Sequence, residues 1–378
     1  MSVAKPFRAE DWWIGKASLL IGLVYLFTIY FQIPFEHFGL WAMCSLVTII
    51  GFASLGYLLN DFFDQDKDRL AGKKNFLLNK TTIQKSVYFG IALLMLFTPW
   101  YYLPFDTFTI VLIVLQLSLF LSYSMPGIRL KERGLLGLIT DALYAHSIPA
   151  VMAVHTYTLI SDKPADGVWV ALLFAWQFCV GLRNILLHQL NDSDADQLSN
   201  TKTFTNKYGV PITNSFLNGL RSTELVLLLV LVSMLCIQNQ WFFVAVVGIV
   251  LSLLLFLSMD KLNGYRFYFP NLLYDHLLPL SFIIILCISD IRFLLLFPIQ
   301  LLLFSGKWLY ALLESFELQH SLNAIKNGCY RVFHSIFAGI KLGVNWLVYL
   351  LFKVVGVDLI KEKTDAKGYI LRQLNKGK

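Results

Sequence analysis

Apolar runs about 20 residues long recur along this chain, and they limit what it can fold into more than any other feature. A helix rises about 1.5 Å per residue, so about 20 apolar residues cross a hydrocarbon core of about 30 Å. Runs of this kind lie at about 17–34, 39–60, 86–104, 106–123, 135–157, 167–189, 223–237, 240–258 and 273–289. A shorter one, "IRFLLLFPIQLLLF", follows Asp290. In lipid the backbone must satisfy its own hydrogen bonds, and a helix does so within one segment. The chain is therefore expected to be all-α, a polytopic membrane bundle of about nine transmembrane helices. Of its 378 residues, 57% are hydrophobic and 15% charged, against about 25% charged in a soluble domain.

The charges lie in alternate loops. The loop after the second run carries Lys67, Arg69, Lys73, Lys74, Lys80 and Lys85, and the loop after the fourth carries Arg129, Lys131 and Arg133. Those after the sixth and eighth carry Lys202, Lys207, Arg221, Lys261 and Arg266, whereas the intervening loops hold only Lys163. Positive loops stay on the cytoplasmic side. The net charge of +7 therefore reads as topology, and nucleic acid is not an expected partner. The expectation is an integral protein of the cell inner (plasma) membrane with both termini cytoplasmic. No small-residue cleavage site follows the first run, which reads as a retained helix. The five cysteines are scattered with no CxxC, so neither a disulfide nor a zinc framework is implied.

Three segments are expected: a cytoplasmic N-terminal stretch (1–16), the transmembrane bundle (17–305) and a C-terminal extension (306–378). In the extension Val332, Phe333, Ile336, Phe337 and Ile340 fit one helix face, which reads as amphipathic helices lying on the membrane. The run 344–357 could re-enter or span it. The basic end, "KEKTDAKGYILRQLNKGK", suits an anionic leaflet.

Where the second run meets the cytoplasm the sequence reads "LLNDFFDQDKDRLAGKKN", and where the sixth does it reads "LLHQLNDSDADQLSNTKTF". At an offset of 128, Asp64, Asp66 and Asp68 fall on Asp192, Asp194 and Asp196, and Lys74 falls on Lys202. Asn60 and Asp61 fall on His188 and Gln189. Residues three, four and seven apart share a helix face. Asp61, Asp64 and Asp68 make one strip; Gln189, Asp192 and Asp196 make another. Two such strips at one bundle mouth repel unless a cation relieves them. Mg²⁺ suits them, because it takes a few carboxylates, waters and phosphate oxygens. A calcium loop needs Gly at its sixth position and Glu at its twelfth. Here those places hold Arg69 and Asn75 in one copy, Gln197 and Thr203 in the other.

At these residues the chain resembles the UbiA superfamily of intramembrane prenyltransferases, over roughly residues 15–290. Asn60-Asp61-x-x-Asp64-x-x-x-Asp68 is similar to that family's first signature, Asp192-x-x-x-Asp196 to the core of its second, and "YSMPGIRLKERGLLG" to its loop between the fourth and fifth helices. The resemblance implies transfer of an isoprenoid chain from its diphosphate to an aromatic or other lipophilic acceptor. It implies Mg²⁺ held by Asp61, Asp64, Asp68, Asp192 and Asp196, with Asn60 and Gln189 assisting. It implies diphosphate contacts from Arg69, Lys131 and Lys202, then Arg129 and Lys74, and Tyr123 beside the allylic cation. His188, Arg183 and Asn184 are candidates for the acceptor pocket, as are Asn271, Tyr274 and Asp275. His146, His155 and His276 read as structural. Gln189 departs from the family pattern, which often has an acid there, and implies a weaker second metal site or an unusual substrate. Two other readings stand beside this one: phosphoribosyl transfer to a polyprenyl phosphate within the same superfamily, and a cation transporter with acidic vestibules. A transporter would carry its acids in mid-membrane, whereas here they cluster at the cytoplasmic ends.

Overall fold

The structure, a computed structural model, describes residues 6–198, 201–259 and 273–304. The chain divides into two units, Met1–Ser305 and Gly306–Lys378. The amphipathic helices and basic tail expected after 306 lie outside the described residues, as do Asn271, Lys261 and Arg266.

Every regular element among the described residues is helical. Among the described residues five helices are long and apolar enough to cross a membrane: α2 (Phe35–Phe63), α5 (Thr107–Ser124), the pair α6 (Leu135–Ala142) and α7 (Ile148–Ser161) joined through a wide turn, α8 (Gly167–Asn191) and α11 (Val210–Gln238). Shorter helices pack beside them: α1 (Ser18–Tyr30), α4 (Thr82–Phe97), α10 (Phe204–Tyr208), α12 (Phe243–Met259), α13 (Leu278–Ser289) and α14 (Leu296–Phe304). The seventh expected span starts earlier than its apolar run. Pro211 in the first turn opens the helix at Val210, so polar Asn214, Asn218 and Arg221 are carried on α11 as well. The third ends earlier, at Phe97, because Pro99 opens a short 3₁₀ turn.

Apolar side chains face both inward and outward. α1 is buried from Ser18 to Thr28, packed on α7, α2 and α13. On α5 and α11 the exposed positions include Val111, Val114, Leu115, Val226 and Val230. Such a surface suits lipid and would be a large liability in water. With no hydrophobic drive between helices in lipid, close approach at small residues matters more. Gly51 of α2 lies against α4, where an added Cβ would stand 2.5 Å from the Leu96 backbone nitrogen.

Side-chain caps end the helices at the turns. Asp106 caps α5 through the Thr109 N–H at 2.9 Å, and Asp166 caps α8 through the Trp169 N–H at 2.7 Å. Thr81 and Gln84 form a reciprocal capping box on α4.

Both acidic stretches break their helix in the same way. Asp64 ends α2 with φ −101° and ψ 3°, and Asp192 ends α8 with φ −96° and ψ 0°. A short helix then starts at once: α3 (Gln65–Ala71) in the first copy, α9 (Ser193–Leu198) in the second. The Asp64 N–H donates to Asn60 at 3.0 Å and the Asp192 N–H to His188 at 3.0 Å. Lys73 N–H closes onto the Asp68 carbonyl at 2.9 Å, and Thr201 N–H onto Asp196 at 2.8 Å. The 128-residue offset therefore describes a backbone repeat as well as a spacing of acids.

Candidate active site

The two breaks open onto one cavity of about 830 Å³. Asn60, Asp64, Asp68, Gln189, Asp192 and Asp196 line it together with Lys74, Tyr123, Arg129, Lys131, Arg183, Asn184 and His188. Tyr274 and Asp275 are on its wall too. Asp61, Arg69 and Lys202 are not; Arg69 and Lys202 are exposed.

Each acid in the mouth already has a protein partner. Asp64 accepts from Arg129 at 2.6 Å and from the Lys131 ammonium. Lys131, itself buried, also donates to Asn60 Oδ1 at 2.9 Å, where Ser124 donates at 3.0 Å. Asp68 accepts from Asn75 at 2.8 Å. Lys73 reaches across from the first motif to the second, donating to Asp196 at 2.5 Å and Asp192 at 3.2 Å. Arg129 holds this position with a left-handed backbone, φ 44° and ψ 57°, which costs a non-glycine residue about 1–3 kcal/mol and recurs at functional sites. Glu132 steadies it at 2.5 Å and also pairs with Lys67.

Burial and charge oppose each other here. Burial raises the Asp68 carboxyl to about 6, with the charges of Asp64 and Asp61 adding and the Asn75 hydrogen bond subtracting. Burial likewise raises Asp196, despite Lys73. Burial works to lower Lys73, but its hydrogen bond and charge pairing with Asp196, then Asp192, prevail and its pKa is raised. Burial lowers Lys131 even beside Asp64.

Asp61 and Gln189, equivalent in the repeat, do equivalent things. Asp61 accepts the Phe76 N–H at 2.8 Å; Gln189 accepts the Thr205 N–H at 3.2 Å. Asp61 pins the turn after the first motif, and Gln189 the first turn of the short helix after the second. Asp61 also binds Arg8 at 3.1 Å, and Arg8 binds Asp11 at 2.6 Å. A neutral amide pins a backbone N–H as a carboxylate does, so the departure at Gln189 preserves this contact.

The cavity's inner wall holds residues outside the motifs. Arg183 pairs with buried Glu224 at 2.8 Å and donates to Asn184 at 2.8 Å. Asn184 in turn meets His146 at 3.2 Å. Tyr144 donates to Asp141 at 2.5 Å, and its ring meets Tyr123 edge-on at 5.3 Å. Lys131 sits 6.0 Å from the Tyr123 ring centre. His188 is exposed, 3.8 Å from Asp192. His155 pairs with Asp106 at 2.9 Å, and His276 is buried.

A family model described as the UbiA prenyltransferase family matches residues 12–266. The chain belongs to that family. Solved structures similar to this UbiA member include a UbiA homolog from Archaeoglobus fulgidus bound to GPP and Mg²⁺, with TM-score 0.49 and 14% identity, covering 71% of this chain and 96% of that one. The same homolog bound to DMAPP and Mg²⁺ gives 0.48, 13%, 72% and 96%. A structure described for digeranylgeranylglyceryl phosphate synthase in membranes gives 0.47, 13%, 74% and 95%. A search of curated proteins finds no match.

Sequence reasoning missed Lys73, Arg8, Asn75 and Lys16. Lys73 was masked by the repeat itself, since pairing Lys74 with Lys202 leaves Lys73 opposite Thr201. Arg8 and Lys16 precede the first span, and only the fold brings them to the Tyr57 ring, at 5.2 and 5.8 Å.

Proposed function

We propose that this UbiA member transfers an isoprenoid chain from its diphosphate to an aromatic or other lipophilic acceptor, in a Mg²⁺-dependent reaction at the cytoplasmic face of the inner membrane. The observation that carries the reading is the convergence of both acidic motifs on one cavity, bridged by Lys73 on Asp192 and Asp196.

The donor set fits Mg²⁺. Among the described residues no three His, Cys, Asp or Glu side chains cluster tightly enough to cage an ion. Mg²⁺ does not ask for a cage: it takes one or two carboxylates and completes its shell with waters and phosphate oxygens. Asn60, Asp64 and Asp68 would hold one ion and Asp192 with Asp196 another, all through oxygen. Asp61 and Gln189 act instead as loop anchors. Bound there, Mg²⁺ supplies Lewis acidity toward the leaving diphosphate.

The chain's own groups do the rest. Lys73, Lys131 and Arg129 now neutralise carboxylates; a diphosphate gives them a second set of anionic oxygens within side-chain reach. Arg69 and Lys202, exposed and off the wall, serve the approach of the anion; Lys74 stands at the rim. Tyr123 presents a ring beside Asp64 and Lys131, where positive charge on the allylic carbon is stabilised by an aromatic face. Arg183, Asn184 and His188 bound the acceptor side, and the apolar helices keep water from the cation.

The test is incubation of purified protein with Mg²⁺, labelled prenyl diphosphates and a cell extract, with product identified by mass spectrometry and labelled phosphoribosyl diphosphate run in parallel. A prenylated product that vanishes in EDTA is expected. Product from phosphoribosyl diphosphate alone, or full turnover in excess EDTA, would overturn the reading.

A further inference from the structure

Behind the acidic mouth the cavity continues as a long apolar arm. Its wall follows one face of α2 from Asn60 back through Gly56, Phe52 and Thr48 to Ser45. α7 and the wide turn before it follow the other side, from Tyr144 through Met152 to Tyr157. Of the hydroxyls on this wall, those of Thr48 and Thr156 are turned to their own helix, Thr48 donating to Cys44 at 2.9 Å and Thr156 to Met152 at 2.8 Å, while Ser45 and Tyr157 stand at its far end. Bulky side chains wall that far end. Trp100, Leu103, Tyr157 and Val24 line it and are respectively 9%, 4%, 1% and 1% exposed.

The arm has a definite length. Fifteen residues separate Asn60 from Ser45, which is about 22 Å at 1.5 Å per residue. Thirteen separate Tyr144 from Tyr157, about 20 Å on the same rise. An isoprene unit adds four carbons to the main chain, about 5 Å when extended, given carbon–carbon bonds of about 1.5 Å.

Building on the prenyl-transfer reading, we infer that the arm holds the donor's tail and measures it: the preferred donor carries about four isoprene units, a length set by the wall of Trp100 and Leu103. A diphosphate at Asp64 and Asp68 leaves its first carbon near Asn60 and Tyr123. The tail then runs down the arm with its last unit against Ser45 and Trp100. A shorter tail leaves apolar wall uncovered, and a longer one meets Trp100 and Leu103, which stand between the arm and a second hollow lined by Trp41, Tyr101, Tyr102 and Phe105.

The experiment needs no acceptor. Binding of dimethylallyl, geranyl, farnesyl, geranylgeranyl and solanesyl diphosphates is measured with Mg²⁺ on the full-length protein in one detergent. Affinity is expected to rise several-fold per unit up to geranylgeranyl and not to rise further to solanesyl. Ser45→Trp fills the far end and should erase about a ten-fold geranylgeranyl preference, as expected when about two buried CH₂ groups lose their place, while geranyl binding stays intact and reports correct folding. Trp100→Ala, which lengthens the arm, should let the rise continue to solanesyl. Affinity that ignores tail length, or a preference untouched by both variants, would overturn the inference and leave prenyl transfer standing. Failure of every prenyl diphosphate to bind would overturn the functional reading itself.

Discussion

Lys73→Met removes one ammonium and keeps an unbranched side chain one atom shorter. Asp196 then loses a partner at 2.5 Å and Asp192 one at 3.2 Å. The two losses differ in weight. Asp192 is 37% exposed, so water and salt screen its share, and an exposed pair contributes about 0–1 kcal/mol. Asp196 is only 7% exposed on its side chain, and breaking a fully buried pair costs about 3–5 kcal/mol. Lys73 itself is 24% exposed, which puts the net loss nearer the surface value, at about 1–2 kcal/mol. Metal-free K73M should therefore unfold at a lower temperature than wild type in EDTA. Mg²⁺ behaves in the opposite sense. In the wild type a metal at Asp192 and Asp196 must displace Lys73; in the variant that displacement is already made. Apparent Mg²⁺ affinity should tighten about 5–30-fold, the equivalent of about 1–2 kcal/mol, and saturating Mg²⁺ should restore the lost stability. Prenyl diphosphate binding, which the displaced ammonium assists, should weaken. The assay is thermal unfolding in detergent across a Mg²⁺ titration, with farnesyl diphosphate as the ligand. An unchanged unfolding temperature in EDTA together with an unchanged Mg²⁺ affinity would refute the argument that Lys73 and the metal share oxygens.

Asp64→Asn leaves Lys131 and Arg129 facing a neutral amide, so turnover should be lost and metal-free stability should fall by about 3–5 kcal/mol; near-normal unfolding in denaturant titration would refute the pairing. Burial raises the Asp68 carboxyl to about 6, so its folded pKa lies above its unfolded one. Its contribution to metal-free stability is full below pH about 4 and is lost as pH rises through about 6; Mg²⁺ needs the carboxylate, so the Mg²⁺-induced thermal shift should grow over the same rise, and a flat shift between pH 5 and 7 would contradict it. Gly51→Ala forces a Cβ to within 2.5 Å of the Leu96 nitrogen and should cost about 1–3 kcal/mol by prising α2 from α4, read as a lower midpoint in denaturant. Gln189→Ala should loosen the loop at Thr205 and lower kcat while leaving Mg²⁺ affinity within about two-fold, since one neutral hydrogen bond contributes about 1 kcal/mol; a large loss of Mg²⁺ affinity would make Gln189 a ligand after all.

The sequence by itself determined the class of fold and the location of the chemistry. Apolar runs of a fixed length in lipid leave a chain little besides helices. The acids of Asn60–Asp68 and Gln189–Asp196 were legible because a helix turns spacing into a shared face, and because the same spacing occurs twice. What these acids do depends on distances across the bundle, and spacing along one helix carries no such information. Read in one dimension, Asp61, Asp64 and Asp68 form a single repelling strip. In the fold Asp61 pins Phe76 and binds Arg8, Asp64 is held by Arg129 and Lys131, and Asp68 is held by Asn75. Gln189, a departure in the sequence pattern, takes the same loop-pinning part as Asp61. Lys73 gave no sign in sequence, since one lysine in a basic loop is like its neighbours; the turn at Gly72, with φ 65°, aims it at the other half of the repeat. The arm from Asn60 to Trp100 depends on α1, α2, α7 and the turn after α4 meeting. Only tertiary packing determines such a length, because where each helix ends relative to the next is set by side-chain fit between them and not by any property that a helix carries alone.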